Sequence, residues 1–122
     1  NGGWRFFYGI RLCRDQTDTK ESLVVDLAKL LFIEAEDNYS RIIMLEGESV
    51  REKTLRVTLK NIEEQITSPA VYRCHRSYMV NLDMEFELSG KAGNYKLRSK
   101  FHDTLIPVSR SKEKELVEKL RG

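Results

Sequence analysis

Apolar residues along the chain fall mostly in short runs or at every second position, the spacing of strands, and only two stretches carry the three-and-four spacing of a helix. Trp4 to Cys13 is aromatic and β-branched and predicts a strand, ended by the polar stretch Arg14 to Lys20. Ser22 to Asp26 and Leu31 to Ala35 have strand length and are joined by a tight connection at Leu27 to Leu30; Arg41 to Leu45 is the next strand. Between these last two lies Asp37-Asn38, the residue types that most readily adopt turn conformations, so the pair reads as a hairpin. A turn at Gly47 leads into Val50 to Val57. Thr58 then stands as an N-cap before Leu59, Ile62 and Ile66, which places a helix there. Ser68-Pro69 closes it, because proline drives the preceding residue out of helical angles.

After the segment Val71 to Asn81, the runs Asp83 to Leu88 and Tyr95 to Phe101 are separated by Gly90, Gly93 and Asn94 and read as a second hairpin. In the latter run Lys96, Arg98 and Lys100 share one face, while Tyr95, Leu97, Ser99 and Phe101 share the other. A short strand, Thr104 to Val108, precedes Ser109 as the expected cap of a final helix with Leu116, Val117 and Leu120 on one side. The pattern is mostly β with short helices.

A chain of 122 residues suits one domain with one core, and 40% hydrophobic against 33% charged residues describes a folded chain rather than a disordered tail. No apolar run approaches the roughly 18 residues of a membrane helix, and the longest, Leu27 to Ala35, is broken by Lys29 and Glu34. No membrane contact is expected. Starting at Asn1 with no leader pattern, the chain reads as a piece of something longer. Cys13 and Cys74 form no CxxC, and neither has histidines at zinc spacing. No disulfide, metal site or cofactor is expected, and a reducing cytoplasm suits the sequence. The net charge of +2 is small, but it is unevenly spread. Asp26 to Glu64 holds six Lys/Arg against nine Asp/Glu, whereas Lys91 to Lys112 holds six against one.

Chemistry concentrates in Arg73, Cys74, His75, Arg76 and Ser77, followed by Asn81. Arginine's planar fork binds guanine N7 and O6, or a phosphate, so one short loop carrying these residues suits nucleic acid; a solvated charged loop has the same composition. His75 and Ser77, with Asp83 or His102, also raise nucleophilic catalysis. No GxSxG elbow supports it, and a His two residues from a Ser on extended chain shares its direction by period alone. His75 is therefore read as a partly buried ring bonded to backbone, and Cys74 as a small inward-facing hydrophobe rather than a redox switch. The Lys96, Arg98, Lys100 stripe suits a DNA backbone and an ordinary solvated face equally.

Four segments read in order carry a resemblance: Leu31-Phe-Ile-Glu-Ala-Glu-Asp-Asn-Tyr39, Thr58-Leu-Lys-Asn-Ile-Glu63, Tyr72-Arg-Cys-His-Arg-Ser-Tyr-Met-Val-Asn-Leu82 and Ile106-Pro-Val-Ser-Arg110. Together they resemble the LytTR family, with its "ieA..NY", "sL..le..L", "R.HrSy.VN" and "iPvSR" elements, from about Ser22 to Leu120. The resemblance implies an elongated arrangement of small antiparallel sheets and a domain over 22–122; residues 1–21 show little of the family pattern and read as an N-terminal extension or linker, whose aromatic run Trp4, Phe6, Phe7 and Tyr8 suits an extra strand, part of a linker or a dimer surface. It also implies a sequence-specific, non-enzymatic DNA-binding domain of a bacterial transcriptional regulator, as the output half of a two-component system. The partner would be double-stranded promoter DNA, met in successive major grooves, with a homodimer on paired sites. Carried over position by position, the contacts would come from Asn38, Ser40 and Arg41, from Arg76 to a base and Ser77 to a phosphate, and from Ser109 and Arg110. Lys96, Arg98, Lys100 and Lys112 would supply further phosphate contacts. Two departures stand out: Glu46 to Val50 is acidic, and Ser40 is small where some members carry a longer side chain. A module that takes a peptide strand on an open sheet edge is the alternative.

Overall fold

A computed structural model of the chain describes residues 9–15 and 18–121. The aromatic run Trp4 to Tyr8 lies outside the described residues. The elements are β1 (Gly9–Asp15), β2 (Asp18–Asp26), β3 (Leu30–Glu36), β4 (Tyr39–Glu46), β5 (Ser49–Leu55), α1 (Leu59–Gln65), β6 (Val71–His75), β7 (Tyr78–Asn81), β8 (Phe86–Ser89), β9 (Lys96–Ser99), β10 (Ile106–Pro107) and α2 (Glu113–Arg121), the last preceded by a 3-10 turn at Arg110–Lys112. They form three antiparallel sheets: five central strands in the order β5-β4-β3-β7-β6, the hairpin β1-β2, and the three-stranded β10-β9-β8.

Local chemistry accounts for the turns. Glu36 pairs with Tyr39 across the two-residue turn Asp37-Asn38, where Asp37 takes φ 54. Glu46 pairs with Ser49 across Gly47-Glu48, with Gly47 at φ 64. Thr58 caps α1 as expected, its Oγ1 accepting from the Asn61 amide at 3.1 Å. In the β8–β9 turn Gly90 stands at φ 90 with the Asn94 carbonyl where a Cβ would lie, so only glycine fits.

The single core expected from chain length is in fact two clusters, one on each face of the central sheet. One joins Ile33, Ile42 and Met79 to Leu12 and Val25 of the β1-β2 hairpin and to Leu59 and Ile62 of α1. The other joins Phe32, Ile43 and Val80 to Leu97, Ile106 and Leu116 of the small sheet and α2. Strands buried on both faces carry continuous apolar runs, which is why Leu30 to Ile33 does not alternate. A bulge between Leu30 and Phe32 turns Leu31 and Phe32 to the same face.

The expectation for the N-terminal segment is an extension or linker ending at residue 21. That boundary falls inside β2, and Leu12 of β1 is fully buried in the first cluster. The expected turn Arg14 to Lys20 is mostly strand, with β1 running to Asp15 and β2 starting at Asp18. The hairpin register, Leu12 opposite Leu23 and Ile10 opposite Val25, supplies pairing that a polar composition hides. At the other end of the chain the strand expected over Thr104 to Val108 shrinks to Ile106–Pro107.

Candidate nucleic-acid interface

Strand register gathers the predicted segments at one end of the central sheet. The Asp37-Asn38 turn closes β3 and β4 there, with Asn38 exposed beside a half-exposed Tyr39. β7 enters opposite the same end of β3, Glu34 facing Tyr78, and the Ala35 amide donates to the Ser77 carbonyl at 2.8 Å. This sets the Arg76-Ser77 turn beside Asn38. The Ser109 amide donates to the Cys74 carbonyl at 2.9 Å, so Ser109-Arg110 lies along β6 next to that turn. Three loops distant in sequence thus form one surface carrying Asn38, Arg76 and Arg110, all exposed.

The Arg76-Ser77 turn is held by its neighbours. The Ser77 amide donates to His75 Nδ1 at 3.1 Å, an acceptor that exists only on a ring with that nitrogen unprotonated. Burial keeps the His75 pKa below its usual value, with Arg76 and Lys96 adding to the effect. Arg73 Nη2 donates to the Arg76 carbonyl at 2.9 Å, while its Nη1 pairs with Glu63 of α1 at 3.1 Å. Arg73, grouped by sequence with His75 and Arg76 as a loop presenting arginine to phosphates and base edges, is instead bonded within the domain, and the signal for that was the R-x-x-R spacing of a tight turn. Cys74 is fully buried, and burial pushes its thiol up to about 12. The reading of Cys74 as an inward hydrophobe and of His75 as a half-buried ring bonded to backbone agrees with these contacts. His102, a candidate third catalytic group, has its Nδ1 accepting from the Thr104 amide and its ring edge-on to Phe32 at 5.1 Å.

Two residues of the first segment are corrected. Ser40 is 0% exposed and donates through Oγ to the Val57 carbonyl at 2.6 Å, so it faces the interior and cannot reach DNA from the folded domain. Arg41 is engaged within the protein: Nε and Nη2 bond both Glu52 oxygens at 3.0 and 2.6 Å, and Nη1 bonds Glu34 at 3.2 Å. The hydrogen bond and charge of Glu52, with Glu34 adding to them, raise the Arg41 pKa further, and the Arg41 guanidinium in turn holds the Glu52 carboxyl below its usual value. Exposed Arg56, which follows β5 where Leu55 pairs with Ser40, stands close to the Asn38 turn instead. Sequence reasoning passed over it because it ends a run of mixed charge.

At the last segment, Ser109 has extended backbone angles but makes no side-chain cap bond, which corrects its expected role. The chain enters α2 through a 3-10 turn, closed by the Lys112 amide donating to the Ser109 carbonyl at 2.9 Å. The start of α2 is tied instead to the β8–β9 turn, where the Gly93 amide donates to both Glu113 oxygens at 2.9 Å. Arg110 lies against that turn, its Nε 3.8 Å from where a Gly93 Cβ would stand.

The basic stripe is less uniform than its period suggests. Lys96 is half-buried and bonds Asn94 Oδ1 at 3.1 Å, and Arg98 lies 4.0 Å from cross-strand Glu87. Lys100 falls beyond β9, with Nζ 5.1 Å over the Phe101 ring. Lys112 lies 5.8 Å over Tyr72.

Exposed arginine and asparagine side chains gathered on neighbouring turns have the chemistry that can meet phosphates and base edges. The sequence profile described as the LytTr DNA-binding domain matches residues 20–121, and the chain belongs to that family. The Sensory transduction protein LytT of Oceanobacillus iheyensis is 32% identical over 105 residues, 84% of this chain and 42% of that protein, so the chain spans about two-fifths of its length. A solved LytTr DNA-binding domain from Bacillus cereus superposes with a TM-score of 0.68 at 22% identity, covering 94% of this chain and 97% of that one. The fold is therefore the one the resemblance implied, and the protein is a DNA-binding domain. The peptide-strand alternative is not favoured: exposed Arg51, Glu52 and Lys53 line edge strand β5, and the Ser109 segment bonds edge strand β6. Among the described residues no helix is long and apolar enough to cross a membrane.

Proposed function

We propose that the domain reads double-stranded promoter DNA in the major groove through Asn38, Arg76 and Arg110, as the output part of a bacterial two-component transcriptional regulator in the cytoplasm. The observation that carries this reading is the convergence of the three turns on one exposed surface, joined by Ala35–Ser77 and Cys74–Ser109 backbone bonds. Arginine there presents its fork to guanine, and asparagine can bond adenine N6 and N7 in the same bidentate way. Ser77 and Ser109 sit on the backbone segments beside these readers and supply phosphate contacts, with Lys96, Arg98, Lys100 and Lys112 adding charge around them. Ser40 and Arg41 are left out of the contact set for the reasons above. A second copy on a paired site would double the contact area and explain selectivity from so small a module.

Selection from a random double-stranded library tests the reading: a motif is expected, in paired copies. Arg76→Ala and Arg110→Ala should each relax the preference at one position and cost roughly 1 to 3 kcal/mol on the selected site while the fold persists. The affinity should fall steeply with salt, and each lysine that meets a phosphate should lower the slope by about one unit when neutralised. No enriched motif, or an unchanged preference in both arginine variants, would refute sequence reading by these residues.

A further inference from the structure

Two arginines near the reading turn are held by carboxylates of the domain, and their anchors converge on that turn from opposite sides. On one side Arg41 bonds Glu52 and Glu34, and Glu34 Oε2 in turn accepts from the Tyr78 hydroxyl at 2.9 Å. Tyr78 follows Ser77 directly, and its ring lies edge-on to His75 at 6.0 Å. On the other side Glu63 of α1 holds Arg73, which holds the Arg76 carbonyl. With the Ser77 amide on His75 and the Ser77 carbonyl on Ala35, the polar backbone around the turn is fixed from β3, β6 and α1.

We infer that Arg41 and Arg73 are positioning residues: with Glu34, Tyr78 and Glu63 they brace the Arg76-Ser77 turn and so set selectivity without touching DNA. The inference rests on Arg76 being a base reader. Its physical basis is that a bidentate base contact discriminates only when the fork is held in place, because a mobile arginine finds phosphates as readily as bases. Arg41 already spends both ends of its guanidinium on Glu52 and Glu34, and Arg73 spends its own on Glu63 and the Arg76 carbonyl, so each has little left to give a phosphate.

The brace and a plain electrostatic role predict opposite signs for the acidic members. Removing a carboxylate near a DNA surface should tighten binding if only charge matters, since each acid repels the phosphates. Glu34→Gln and Glu63→Gln are compared with Glu48→Gln, an exposed carboxylate on the turn at the far end of β4 and β5. All three are assayed on the selected site and on random DNA across a salt series, with thermal melts to confirm folding. Glu48→Gln should leave the ratio of selected to random affinity unchanged. Glu34→Gln and Glu63→Gln should bind random DNA as well or slightly better, yet lower the ratio about tenfold, the low end of what one bidentate base contact supplies. In the free domain the Ser77 amide should exchange with solvent faster in both. Should one variant melt, the other tests its own side of the turn.

Unchanged ratios and unchanged Ser77 exchange in the folded glutamine variants overturn the brace. A salt slope lowered by about one unit in Arg41→Gln or Arg73→Gln also overturns it, since that marks a phosphate contact. If Arg76→Ala loses the preference while both glutamine variants keep it, the brace fails and base reading stands. If Arg76→Ala keeps the preference, base reading fails and the brace falls with it.

Discussion

Asn81 offers the sharpest test of how this fold is held together, because its side chain ties three segments at the end opposite the reading turns. It is 2% exposed; Nδ2 donates to the carbonyls of Leu27 and Leu30, both at 2.9 Å, and Oδ1 accepts from the Asp83 amide at 3.1 Å. Asn81→Ala removes all three. At about 1 kcal/mol net for each bond the loss is about 3 kcal/mol, and the buried Leu30 carbonyl left without that partner raises it toward about 5. That is a large part of the 5 to 15 kcal/mol by which domains are typically stable, and at roughly 3 to 4 °C per kcal/mol for this size Tm should drop at least about 10 °C. Urea unfolding followed by circular dichroism measures it, with an unchanged m-value showing that the same structure unfolds.

Asn81→Asp adds a sign. Its carboxylate would face two carbonyl oxygens and fold best protonated, so its folded pKa would lie above the unfolded value near 4. Stability of that variant should be highest below pH 4 and fall as pH rises through the folded pKa. Because Asn81 sits at the Val71 end of β7, away from Tyr78, the selected DNA motif should not change in whatever fraction remains folded. A loss below about 1 kcal/mol in the alanine variant, or an altered base preference in folded protein, would refute the reasoning.

Ser40→Ala should cost about 1 to 3 kcal/mol, by leaving the buried Val57 carbonyl without its donor, and should leave DNA preference intact; a normal melt with a changed motif would return Ser40 to the contact surface. The Cys74 thiol, held up at about 12 by burial while an unfolded thiol titrates near 8.5, stays protonated in the fold. Its contribution to stability is complete below about pH 8.5 and is lost as pH rises toward 12. Alkylation of Cys74 at pH 8, followed by mass spectrometry, should therefore proceed only as fast as the domain opens; rapid labelling of folded protein would contradict the buried thiol.

Much of this protein is decided locally and can be read from the chain. Thr58 caps its helix because a threonine before Leu59, Ile62 and Ile66 can serve the Asn61 amide whatever lies around it, and Asp37 and Gly47 turn their hairpins because their own backbones tolerate positive φ. The four motif segments name the family, and the inward Cys74 follows from free cysteine being among the most buried residue types. What tertiary structure decided are the matters of direction and partner. Ser40 and Arg41 are adjacent residues in a turn-flanking strand, and only the register of β4 against β5 sends one hydroxyl to the Val57 carbonyl and gives one guanidinium to Glu52. Ser109 carries the composition of a cap, yet the Gly93 amide and Glu113, 20 residues apart, dictate how the final helix begins. The β1-β2 hairpin packs on the central sheet because Leu12 and Val25 cover a sheet face that would otherwise meet water, and the second cluster forms because the other face needs covering too. Turns and caps depend on one or two neighbours along the chain, whereas burial and charge pairing depend on atoms tens of residues away, and those are fixed only once strand register brings them into contact.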